Sequence, residues 1–132
     1  MDNIIKTLND LPVPKYAFGS IEAAQIESAE LRLNLHFAVE YKEFIQYVGA
    51  LVFNGNEICG LAPFPSLNVV HETALAREHD AAFPKLMYVI SSLHIDGIQI
   101  LQNEKGEIFQ YMPKQFTKKI FNSLAEYLES LY

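Results

Sequence analysis

The chain has 132 residues, half of them hydrophobic and a fifth charged, a size and composition that predict one globular domain over 1–132 needing neither disulfide nor metal to fold. A net charge of −6 argues against a nucleic-acid partner, since Lys114, Lys118 and Lys119 form a poor substitute for the basic face that phosphates require. The single cysteine points to a reducing compartment; with no basic-then-apolar leader and no apolar run near the ~20 residues of a membrane helix, the expected location is the cytoplasm.

In chain order, Ile4, Ile5, Leu8 and Leu11 mark a short helix that ends before Pro12 and Pro14. Ser20 is placed to cap a second helix, with Glu22 in its first turn and Ile26, Ala29 and Leu33 on its apolar edge. Tyr41, Phe44, Ile45 and Val48 fall at helical spacing, and Gly49 stops that third helix. Ala50–Phe53 and Glu57–Leu61 flank Asn54-Gly55-Asn56 and read as a hairpin. A fourth helix is capped by Asn68, faces Val69, Val70, Thr73 and Ala74 inward, and carries Arg77 near its end. Met87–Ser91 reads as a strand, Asp96-Gly97 as a turn, and Ile98–Gln102 with Glu107–Met112 as a hairpin around residues 103–106. Leu124, Tyr127, Leu128 and Leu131 form a closing helix with a Ser123/Glu126 capping box. This order predicts an α+β fold with a mostly antiparallel central sheet of about five to six strands packed against several helices.

No glycine-rich phosphate loop, nucleophile elbow, His-Glu-x-x-His or calcium loop occurs. His71 and His79 stand about two helical turns apart beside Glu72 and Glu78, a metal reading set against ordinary surface histidines. His36 and His94 have no sequence-local partner. Cys59, inside the apolar run Glu57–Leu61, reads as a small buried hydrophobe, with no base nearby to lower its pKa. Glu27/Glu30 and Glu40/Glu43 read as lining helix faces. Neither catalysis nor a cofactor is expected from these residues.

One ordered set of motifs is more specific. Ile26-x-x-Ala29-Glu30-x-x-Leu33-Asn34 runs into Phe37–Ile45, then Val48-Gly49, then Phe53–Leu61; Asn68-Val69-Val70-x-x-Thr73-x-x-x-Arg77 and Ser123–Leu128 follow. Together with the Leu86–Leu101 segment, these resemble the SUKH superfamily, which joins the yeast cell-wall-assembly regulator, Syd and many bacterial immunity proteins. Three positions depart from its pattern. Asn34 stands where Gly is favoured, Ala38 where a helix-starting Pro is usual, and Gln102 where many relatives have Asp. The last departure puts in doubt any role carried by that acid.

The resemblance implies a cytoplasmic immunity protein that neutralises a delivered toxin, often a nuclease, by binding it; a monomer or weak homodimer is expected. The charge suits a basic protein partner: residues 21–60 set six acids against Arg32 and Lys42, and 61–112 set six against Arg77, Lys85 and Lys105. The candidate contacts are Glu57 at a strand start, Glu72, Glu78 and Asp80 on the fourth helix and its exit, and Glu104 and Glu107 around the hairpin turn. The alternatives are a regulatory scaffold of the cell-wall-assembly type and a small metal-dependent enzyme.

Overall fold

A computed structural model describes residues 4–12, 15–93, 95 and 97–131. His94 and Asp96, and with Asp96 the turn expected there, lie outside the described residues. The described elements are helices α1 (Ile4–Asp10), α2 (Ala23–Leu33), α3 (Val39–Val48), α4 (Val69–His79) and α5 (Leu124–Glu129), with strands β1 (Lys15–Ala17), β2 (Leu51–Phe53), β3 (Asn56–Ile58), β4 (Met87–Ser92), β5 (Gln99–Asn103), β6 (Ile108–Met112) and β7 (Phe116–Phe121). All pairing between these strands is antiparallel, in a three-stranded sheet β1-β2-β3 and a four-stranded sheet β4-β5-β6-β7. The fold is α+β, as expected, with the strands divided between two sheets.

A bulge joins the sheets. The β4–β5 register shifts between Val89 and Ser91, which leaves Ile90 out of the ladder. Its carbonyl accepts from the Cys59 N–H at 2.8 Å, and the Ser91 hydroxyl donates to the Glu57 carbonyl at 2.8 Å. The end of β3 therefore continues across the edge of β4. Thr73 on α4 covers the same edge, its hydroxyl oxygen accepting from the Val89 N–H at 3.0 Å. Covering a strand edge in this way removes a template for unwanted pairing.

Strand alternation gives each sheet two packed faces. Leu51, Phe53, Tyr88, Ile90, Ile100 and Ile108 point into the main core with α1, α2, α3, α5 and the start of α4. The opposite face of the four-stranded sheet packs Val89, Leu101 and Tyr111 under Ala76 and Phe83. Ala76, not the expected Ala74, is the inward alanine; Ala74 is exposed because α4 rolls Val69, Val70, Thr73 and Ala76 onto its neighbours.

Turn chemistry accounts for the hairpins and helix ends. Asn54 and Gly55 both have positive φ (48° and 77°) between the paired residues Phe53 and Asn56, the condition for a two-residue type I′ turn. Asn34 takes the left-handed conformation at the end of α2 (φ 54°), so the residue replacing glycine does the same job there. The cap at the start of α2 is Glu22 in a box with Gln25, and Ser20 lies outside the helix. Asn68 caps α4 as expected, accepting from the Val70 and His71 N–H groups. At α5, Ser123 accepts from Glu126 N–H, while the Glu126 carboxylate turns back to Asn122 N–H.

A buried polar network ties these layers together. The Glu40 carboxylate accepts from the Leu124 and Ala125 N–H groups at 2.7 and 3.0 Å, capping α5 from α3. Gln102, with no exposed surface, donates its amide to Glu40 and accepts from the Tyr88 hydroxyl at 2.9 Å. The same hydroxyl accepts from the Ala38 N–H at 2.9 Å. Two of the three departures from the family pattern thus have a physical reason. A proline at 38 has no N–H to give Tyr88. A carboxylate at 102 would face the Glu40 carboxylate with nothing to donate.

Candidate functional site

The expected contact acids stand in unlike surroundings. Glu57 and Glu72 are half-buried beside the β3–β4 junction, with Glu72 accepting from the Ser92 hydroxyl at 3.2 Å. Glu78 is exposed on α4. Asp80 is different: it is 5% exposed and its carboxylate holds the α4 exit loop together. The Tyr111 hydroxyl donates to it, as do the backbone N–H groups of Ala82 and Lys114. The hydrogen bond from Tyr111, followed by that from Ala82, holds the Asp80 carboxyl below the usual carboxylate range. Asp80 is therefore a structural anchor with its acceptors already in use.

Glu104 and Glu107 sit on the β5–β6 turn, but in unlike states. Glu107 accepts from Lys119 at 2.8 Å and from the Asn103 amide at 2.9 Å; these bonds lower its pKa and offset its charge. Glu104 is exposed and makes no ion pair among the described residues. The Asn103 side chain fixes this turn by accepting from the N–H groups of Lys105 and Glu107.

Glu104 also borders an open hollow of about 510 Å³ that the sequence pattern did not single out. Glu27 and Glu30 from α2, Leu31, Leu35 and Leu86 line it with Glu104, and neither lysine nor arginine is among its lining residues. Glu30 is held in place by the Phe37 N–H at 2.8 Å and by Lys42 at 3.7 Å. Leu31 is 81% exposed and Leu86 68% exposed, large values for leucine beside an open depression. The available sequence signal was Leu31 itself, which falls off the Ile26–Ala29–Leu33 face of its helix. Its partner Glu104 is more than seventy positions away, beyond any local pattern.

The remaining chemistry-bearing groups fall elsewhere. Among the described residues, no group of three or more His, Cys, Asp or Glu is placed to hold a metal ion. Cys59 is wholly buried; its thiol donates to the Ser66 carbonyl, and burial pushes its pKa well up, so it stays a thiol. Its carbonyl accepts from the Tyr41 hydroxyl at 2.6 Å. Among the described residues, no helix is long and apolar enough to cross a membrane.

These features define an α+β protein with two joined antiparallel sheets and a carboxylate-lined, leucine-rimmed hollow on its surface. The chain belongs to the SUKH superfamily: residues 1–132, its whole length, match the family model SUKH_5, described as SMI1-KNR4 cell-wall. No curated protein matches it.

Proposed function

We propose that this chain is a non-enzymatic immunity protein that neutralises a bacterial toxin by binding it in the cytoplasm, as a monomer or weak homodimer. The observation that carries this reading is the hollow, where Glu27, Glu30 and Glu104 meet exposed leucines and the one lysine or arginine paired with a lining carboxylate is Lys42, at Glu30, among the described residues. On a chain of net charge −6, that surface complements a basic, partly apolar protein face. A nuclease toxin presents such a face because its substrate is a polyanion, and an acidic protein competes for it by matching phosphate charge. Membership of the SUKH superfamily supports the reading, because the sequence resemblance extends to many bacterial immunity proteins.

Co-expression tests it. On this reading the adjacent gene is expected to encode a toxin domain, and cells producing that domain should survive when the chain is present and die when it is absent. Death in both cases would remove the immunity role.

A regulatory scaffold is the second reading, favoured by the cell-wall description of the matching family. It also rests on protein binding, but its partners are housekeeping proteins and its loss alters growth with no toxin present.

A further inference from the structure

We infer that the hollow between α2 and the β5–β6 turn is the docking site for a leucine-bearing, arginine-rich surface segment of the partner protein. This rests on the protein-binding reading and names the face and the chemistry that it uses.

The hollow offers two recognitions at once. Leu31 and Leu86 stand exposed at its rim, and Leu35 lies buried at 6% exposure, so an incoming apolar side chain removes leucine surface from water. Around them Glu27, Glu30 and Glu104 supply three carboxylates, and the one other titratable lining group is His36. His36 Nδ1 lies 4.0 Å from Glu30, and Lys42 lies 3.7 Å from the same oxygen, so Glu30 is partly offset. Glu27 and Glu104 make no ion pair among the described residues, so they are the carboxylates open to a new cation. Carboxylates spaced around apolar surface suit guanidinium groups, which pair in two-pronged fashion and tolerate an apolar neighbour better than ammonium does.

Both walls are already ordered. On one side Asn34 and Leu35 N–H groups bond back to the Leu31 and Glu30 carbonyls. On the other, Asn103 clamps the turn that carries Glu104. Little ordering cost remains to be met on binding. The volume, about 510 Å³, is in the range of clefts that take a drug-sized ligand. A second depression at α4, near Asp80, is a poorer candidate because Asp80 is already saturated by Tyr111, Ala82 and Lys114.

The test uses a blocked synthetic peptide of alternating arginine and leucine, titrated into the intact chain and followed by backbone and methyl NMR shifts. Saturable shifts should centre on residues 27–36, Leu86 and 103–106. Replacing the peptide's leucines by serine, or its arginines by glutamine, should weaken binding by about tenfold or more, as should Leu31→Ser with Leu86→Ser, or Glu27→Gln with Glu104→Gln. All four substituted side chains are exposed, so these variants keep the fold, and their unchanged amide spectra away from the hollow verify it. Equal binding of the arginine–serine peptide, shifts centred on Glu72 and Glu78, or no saturable binding would each overturn the inference. If the chain protects cells from its neighbouring toxin while the peptide leaves the hollow untouched, the docking site is wrong and the immunity reading stands. If the peptide seats in the hollow and no protection occurs, the docking site stands and the immunity reading fails.

Discussion

Thr73 shows how a single polar residue can be needed on an apolar helix face. It has no exposed surface, and its hydroxyl oxygen accepts from an amide on the outer edge of β4. Thr73→Val keeps the shape and orphans the Val89 N–H, so it should cost about 1–3 kcal/mol in urea unfolding, whereas Thr73→Ser should recover most of that. Asp80 provides a pH signature. Its folded pKa is depressed, so its contribution is complete above the unfolded value of about 3.9 and is lost as pH falls through the lower folded value. Asp80→Asn should therefore show a shallower loss of stability than the parent below about pH 4 in unfolding titrations. The inward position of Thr73 was legible from spacing along α4. The role of Asp80 was not, because its partner Tyr111 is 31 positions away and only the tertiary fold brings them together.

At the scale of elements, three backbone segments cross where side chains have no room. A Cβ on Gly60 would lie 1.6 Å from the Gly49 carbonyl oxygen, and one on Gly49 would lie 2.3 Å from that of Gly19. Gly60→Ala should cost about 3 kcal/mol or more, while Gly55→Ala, where only the positive φ resists, should cost about 1 kcal/mol; thermal unfolding separates them. Glu40 links α3 to α5 by capping two amides across the core. Glu40→Ala should destabilise by about 2–3 kcal/mol and raise hydrogen exchange first in Leu124–Glu129. Helix α3 was plain from Tyr41, Phe44, Ile45 and Val48, all buried. The β2–β3 hairpin was plain from Asn54-Gly55. Strand β7 was hidden because Thr117, Lys118 and Lys119 give it no half-buried alternation; its exposed residues gain order by pairing with β6 and, at Lys119, from the ion pair with Glu107. Strand β1, three exposed residues long, is defined by its partner β2 in the same way.

For the whole molecule, the α+β class followed from element order, and family membership from motifs spread along most of the chain. The proposed binding face did not follow, since composition reports how many acids exist and not which are paired. Of the six acids singled out, Asp80 is consumed by structure and Glu107 by Lys119, whereas Glu27, treated as a helix face, borders the hollow. The association rate for a basic toxin should fall by about tenfold or more from low to physiological salt if complementary charge steers it. The most direct measurement is titration calorimetry of the purified chain with the protein domain encoded by the adjacent gene, which the proposed function expects to be a toxin, repeated across salt concentrations. The expected result is a stoichiometric complex whose affinity falls with salt and abolishes toxin activity. The contradictory result is no complex with that domain, or a complex that leaves the toxin fully active.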